Sequence, residues 1–224
     1  MRYEHPPETL SKLPEAVRGL ASEVAPRRLA RAMGLMDVRL PGVVAAAEAV
    51  HRRHNTSAIL RSAEAFGVHE ARLVAHQFKP ARGASKGADR WLELYKHADV
   101  GELMAALRPR GFRLYVADID ADAVPPEEVP VDRPVALLFG SELTGVSDEA
   151  RAAADGVVFI PTVGVTQSLN VSAAAAIVLR AVCMRARAAG PVGIHGEARD
   201  RFLERFIREE AARKKSSDHL FQEG

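Results

Sequence analysis

The sequence predicts an α/β protein with a mostly parallel sheet and helices on both of its faces. Three observations predict it. Short apolar runs closed by glycine or proline alternate with longer helix-forming stretches between Val38 and Ala188, the pattern of strand–helix–strand crossovers. The turns after these runs carry glycines and isolated polar residues, as ligand-binding turns at the carboxyl ends of parallel strands do. Hydrophobic residues make up 47% of the 224 residues, enough for a sizeable core and too many for a disordered chain.

Each element can be justified in order. Leu10 to Arg31 reads as helical, basic and sparse in apolar residues, with breaks near Pro14 and Pro26. Val38 to His51 is ambiguous: its alanines favour helix, while a strand ending at Arg52-Arg53-His54-Asn55 suits the helix start beyond it. Asn55-Thr56-Ser57 reads as that helix start, and the helix runs to about Phe66, where Gly67 stops it. Ala71 to His76 is a short strand. Phe78 to Gly87 is a basic, glycine-containing loop, either a plain surface loop or a phosphate contact. Asp99 to Leu107 is a helix ended by Pro109 and Gly111. Arg113 to Ile119 is a strand, followed by an acidic, proline-rich linker through Pro134. Val135 to Gly140 is a strand, Asp148 to Ala154 a helix, Val157 to Ile160 a strand and Leu169 to Ala188 a long helix, broken by Gly190-Pro191. Glu197 to about Lys215 is a last, charged helix. The expected division is an N-terminal helical extension (1–37), one α/β domain (38–190) and a C-terminal helical extension (191–224).

Composition excludes several classes. The single cysteine, Cys183, excludes an internal disulfide and a cysteine-rich metal site, and its apolar helix makes it a core residue rather than a nucleophile. Aromatic content of 5% argues against serial base stacking. No apolar run approaches a membrane span, and Met1 to Pro7 lacks the apolar segment of a signal peptide, so the expected address is cytoplasmic. Net charge is +2, unevenly spread. Bases dominate from Arg52 to Arg113 and in the last helix; acids dominate from Asp118 to Asp155. Such segregation suits either a phosphate-rich partner or ordinary solvated helix faces. The P-loop, the Rossmann glycine triplet and His-Glu-x-x-His are all absent, and no metal is expected.

What stands out is three turns. Ile160-Pro161 leads to Gly164-Val165-Thr166-Gln167-Ser168-Leu169-Asn170-Val171-Ser172, a strand end, a glycine-marked loop and a helix start. Leu137-Leu138-Phe139-Gly140-Ser141-Glu142-Leu143-Thr144-Gly145-Val146 has the same layout. His54-Asn55 to Arg61 places an asparagine and an arginine six residues apart. Singly, Asn55 reads as a helix cap, Glu142 as a helix-dipole partner and Ser168 as another cap. Jointly, three such turns outline a backbone-lined pocket suited to a flat hydrogen-bonding group such as adenine.

Together these motifs resemble the SpoU/TrmH class of the SPOUT superfamily, RNA ribose 2′-O-methyltransferases, over about Gly42 to Ala189. The basic loop and the helical extensions resemble its tRNA-specific branch. The resemblance implies a C-terminal deep trefoil knot, one of the rare exceptions to unknotted topology, and a homodimer with each active site near the interface. It implies S-adenosylmethionine held largely by main-chain groups around Ala117, Gly140, Ile160 and Leu169. It implies a tRNA substrate, guanosine 18 of the D-loop. Arg61, Asn55, Glu142, Ser168 and Asn170 are then the catalytic set: Arg61 at the reacting oxygen, Asn55 positioning Arg61 or the ribose, Glu142 anchoring loops or binding Arg61, and Ser168 and Asn170 fixing the ribose and the loop. Other readings of the same motifs are 2′-O-methylation of the tRNA wobble ribose or of rRNA, and a non-catalytic knotted RNA-binding protein.

Overall fold

The computed structural model describes residues 2–50, 52–74, 87–141, 143–166 and 168–220, with side chains as far as Lys214. Glu142, Gln167 and most of the basic Phe78–Gly87 loop lie outside the described residues. In chain order the elements are α1 (Pro7–Ser11), α2 (Glu15–Arg18), α3 (Pro26–Met36), β1 (Leu40–Glu48), α4 (Arg53–Ala65), β2 (Val68–Val74), β3 (Glu93–His97), α5 (Val100–Leu107), β4 (Arg113–Ala117), β5 (Val135–Phe139), α6 (Asp148–Ala153), β6 (Gly156–Val158), α7 (Val171–Ala189) and α8 (Gly196–Leu220). The chain divides into two compact units, Leu40–Val192 and the combination of Met1–Arg39 with Gly193–Gly224.

The larger unit is a six-stranded sheet in the order β3-β2-β1-β5-β4-β6. Every strand pair is parallel. A parallel sheet needs cover on both faces, and side-chain alternation supplies two apolar surfaces. Val43, Ala45, Val135, Leu137, Phe139 and Tyr115 join the core packed with α4 and α7. Val44, Ala46, Ala136, Leu138, Leu114 and Val116 join the opposite core, with α5 and α6. The long α7 buries Ala175, Val178, Leu179, Val182 and Cys183, the i, i+3, i+4, i+7, i+8 stripe of a helix lying on a sheet.

Context resolves the ambiguity of the alanine-rich segment. β1 pairs with β2 on one side and β5 on the other, and ladder hydrogen bonds along both edges outweigh alanine's modest helix preference. Its small side chains let layers on both faces approach closely. β3 has no counterpart in the sequence reading. Glu93-Leu94-Tyr95-Lys96-His97 is a half-buried edge strand, and only pairing with β2 extends it. Helix ends follow local chemistry. Asp99 caps α5 by accepting from the Glu102 amide at 2.8 Å, and Ser147 caps α6 by accepting from the Ala150 amide at 3.1 Å.

The smaller unit is helical. Pro14 precedes α2 and Pro26 opens α3, as proline's fixed φ favours. Leu29, Ala32 and Met36 of α3 and Phe202, Leu203, Phe206 and Ile207 of α8 are buried. Arg28 pairs with Glu210 at 2.7 Å, and Lys214 with Glu23 at 2.9 Å. Arg27, Arg31, Arg201, Arg208 and Arg213 are exposed. Among the described residues no helix is long and apolar enough to cross a membrane.

Candidate active site

The connections from β1 and β5 lead to opposite sides of the sheet although the two strands are neighbours. Such a reversal opens a crevice at the carboxyl ends of the strands. A cavity of about 520 Å³ lies at the ends of β4, β5 and β6. Its walls are Ala117 and Asp118 after β4, Phe139 to Ser141 after β5, Val158 to Ile160 at the end of β6, and Ser168 to Val171 with Ala174 and Val178 at the start of α7. Ala117, Gly140, Ile160 and Leu169, far apart in sequence, therefore face one space.

Gly140 shows why the floor is main chain. A Cβ there would stand 2.2 Å from the Gly145 carbonyl carbon and 2.3 Å from the Val146 amide nitrogen, far inside contact distance. The chain passes back over itself, and Gly145 makes the reversal with φ +69°, a left-handed value that glycine adopts freely. Paired Ser141 and Gly145 backbone bonds of 2.8 and 2.9 Å close the turn. Hydrophobic Val158, Val178 and Phe139 complete the cavity, the mixture of apolar wall and a few polar groups typical of small-molecule sites.

At the lip, Asn170 is the N-cap of α7. Its Oδ1 accepts from the Ser172 amide at 2.9 Å and from the Ser172 hydroxyl at 2.6 Å. Its Nδ2 donates to Asn55 Oδ1 at 3.3 Å, so two motifs 115 residues apart touch. Asn55 is not a cap: α4 begins at Arg53, and Asn55 is buried within its first turn. Ser168 lines the cavity and spends its hydroxyl on no described residue.

Arg61 stands elsewhere. Six residues beyond Asn55, it is about 9 Å further along α4 and turned to another face. It is exposed, is not among the residues lining the cavity, and pairs with no described residue. Arg52 and Asp118 line the cavity without having been singled out by the sequence motifs. Asp118 faces the Arg151 guanidinium as an ion pair, though its buried Oδ2 lacks a well-directed hydrogen bond. Their sequence signal was weak: one is among several arginines, the other is the first of many acids from Asp118 to Asp155. Cys183 is buried in α7, and burial pushes its thiol up to about 12, so it stays neutral and unreactive. Among the described residues no group of three or more His, Cys, Asp or Glu is placed to hold a metal ion.

An all-parallel sheet with a nucleoside-sized cleft at the carboxyl ends of β4, β5 and β6, floored by main chain instead of a Rossmann glycine loop, defines an α/β protein built to hold a small molecule with largely uncharged contacts. The chain belongs to the SpoU rRNA Methylase family, whose model matches residues 42–180. It is 44% identical over 147 residues to a tRNA (guanosine(18)-2′-O)-methyltransferase of Thermus thermophilus, covering 63% of this chain and 74% of that one. The enzyme of the same name from Escherichia coli (strain K12) is 36% identical over 156 residues, 69% of this chain and 68% of that one. The crystal structure of the A. aeolicus TrmH/SpoU tRNA modifying enzyme superposes with a TM-score of 0.75 at 28% identity, covering 82% of this chain and 96% of that chain.

Proposed function

We propose that this protein methylates the 2′-oxygen of a tRNA ribose, guanosine 18 of the D-loop, using S-adenosylmethionine. One observation carries the reading: the turns after β4, β5 and β6 meet the Ser168–Asn170 lip around a single cavity. Family membership and the two relatives' activity support the choice of reaction and substrate. The cavity suits the cofactor. Its volume falls within the range of roughly 300–1,000 Å³ usual for small ligands, its walls suit an adenine ring, and Gly140 keeps main-chain groups at its floor. Ala117, Gly140, Ile160 and Leu169 would hold the nucleoside. When bound, S-adenosylmethionine supplies an electrophilic sulfonium methyl group.

The chain's own residues then orient the acceptor. The Asn55–Asn170 contact fixes α4 against the start of α7, and the free Ser168 hydroxyl can bind a sugar oxygen at the mouth. Arg61 is permanently protonated, so its role is to hold a phosphate and steady negative charge developing on the 2′-oxygen. The proton leaves through phosphate or water. Glu142, outside the described residues, is assigned to anchoring the neighbouring loops or binding Arg61.

We further propose that the site is completed in a homodimer, with Arg61 supplied by the second copy. Its position outside the cavity lining supports this, as do exposed apolar side chains on the same unit, Leu143, Val163, Val165, Ile177 and Met184, a surface fit to be covered. The threaded trefoil arrangement and a cytoplasmic location, where tRNA is processed, belong to the same reading. Exposed arginines of α3 and α8 are the assigned tRNA backbone contacts.

Incubating the protein with S-adenosylmethionine and unmodified tRNA, then mapping ribose methylation, tests the reaction. Methyl on guanosine 18 is expected; none, or methyl at another nucleotide, sinks the substrate assignment. Arg61→Ala is expected to lose turnover by about a hundredfold or more while keeping cofactor affinity. Mixed dimers of Arg61→Ala with a cofactor-blocked partner should regain activity if Arg61 acts across the interface, and stay inactive if it acts within its own chain.

A further inference from the structure

We propose that Glu48 is a positioning residue for the cofactor cleft, the group that seats the Gly140–Val146 turn on the sheet. The inference rests on the cofactor reading above and assigns a residue outside it. Glu48 is the last residue of β1 and is only 7% exposed. Its Oε2 accepts a hydrogen bond from the Ser147 amide at 2.9 Å, across 99 residues of chain. A buried carboxylate is costly unless hydrogen-bonded, so this bond is one the fold cannot readily exchange for another.

The surrounding geometry shows what the bond controls. The turn's internal bonds, Ser141 with Gly145 and the Leu143 amide to Ser141 Oγ at 3.2 Å, set its shape. The β1–β5 ladder, which ends at Ala47 and Phe139, fixes where the turn begins. Glu48 fixes where it ends, because Ser147 immediately follows the turn and caps α6 through its own hydroxyl. Glu48 is itself held on a braced segment. The Ala49 amide donates to the Val74 carbonyl at 3.1 Å, and the Thr56 hydroxyl donates to the Val50 carbonyl at 3.4 Å. Ala49 has φ +46°, a strained left-handed conformation for a residue with a Cβ, of the kind that persists where the surroundings over-determine it. Glu48 and Ala49 also wall a second, smaller cavity with Thr144 to Asp148, and Gly145 borders both cavities. Glu48 is thus not among the residues lining the larger cavity but shares the smaller one with Gly145, which lines both.

The test compares Glu48→Met, which keeps volume and removes the acceptor, with Glu48→Gln, which keeps an acceptor oxygen. Calorimetric titration with S-adenosylhomocysteine is expected to show a Kd raised about tenfold in Glu48→Met and within about twofold of the parent in Glu48→Gln. KM for S-adenosylmethionine should rise in parallel while tRNA affinity stays within about twofold. Amide exchange should be about tenfold or more faster at Ser147 in Glu48→Met, with the β5 amides still protected. Should Glu48→Met fold poorly, the other end of the bond serves. Ser147 has φ −69°, which proline adopts. Ser147→Pro removes the donor and should weaken binding; Ser147→Ala loses the cap but keeps the donor and should bind better than Ser147→Pro. A folded Glu48→Met with parental Kd and unchanged Ser147 exchange would overturn the proposal. Failure of the unsubstituted protein to bind S-adenosylhomocysteine would instead sink the cofactor reading, and the exchange measurement would still decide whether Glu48 holds the turn.

Discussion

At the β2–β3 edge polar side chains are spent on one another, whereas in the cleft beyond β4, β5 and β6 several are left unspent. Along the edge, Arg72 Nε donates to Glu70 at 2.5 Å and its Nη1 donates to His97 Nε2 at 2.8 Å. Arg110 donates to the same Glu70 at 3.0 Å, and the Arg72 guanidinium lies 4.7 Å from the Tyr95 ring centroid. In the cleft the floor is glycine and main chain, and the side chains of Ser168 and Arg52 have no described partner. The more charged region is the structural one. Burial first, and then the neighbouring Arg72 charge, hold His97 below its ordinary value. That perturbation marks a satisfied network, not a reactive group, while the functional region is marked by close main-chain approach and unused hydrogen-bonding capacity.

The contrast can be broken by experiment. The largest effect is expected from Arg72→Ala, which strands Glu70 beside Arg110 alone. It should lower unfolding stability by about 3 kcal/mol and leave cofactor affinity unchanged; an equal loss of affinity would tie the edge to the site. Gly140→Ala should do the converse, weakening S-adenosylhomocysteine binding by about a hundredfold through the collision with Gly145. Binding within threefold of the parent would show that the floor can move. Asn170→Ala removes a helix cap and the link to Asn55, and should cost about 1 kcal/mol in denaturant melts together with a drop in kcat. If kcat holds, Asn170 is a cap and nothing more. The smallest effect concerns pH. His97 has a folded value below the usual 6.5, so the unfolded chain takes up the proton first as pH falls. Its contribution is fully present above about 6.5 and is lost as pH falls through the folded value. Melting temperature should decline shallowly across that window, and more weakly in His97→Gln.

The two regions were also unequally legible. The cleft could be read because its glycines and polar residues sit in short contiguous motifs, and a pocket at strand ends gathers such motifs by topology. The edge network could not, because Glu70, Arg72, His97 and Arg110 come from β2, β3 and the turn after α5, and nothing local tells a buried arginine from a solvated one. Glu48 escaped for a related reason. It closes an apolar alanine run and shares the face of Val44 and Ala46, a parity signal visible only once that run is known to be a strand. Asn55 read as a cap because its residue type suits one, yet α4 starts two residues earlier.

Residue order alone determined the alternation of apolar runs and helices, the glycine at each crowded turn and the family motifs, because these depend on local propensity and on backbone freedom at single positions. Only the tertiary structure decided that the alanine run is a central strand, that Glu93–His97 joins the edge, that Glu48 reaches Ser147, and that Arg61 stands outside its own chain's cleft. Each of these turns on groups brought together across long stretches of sequence, where burial and pairing override what any segment would prefer by itself.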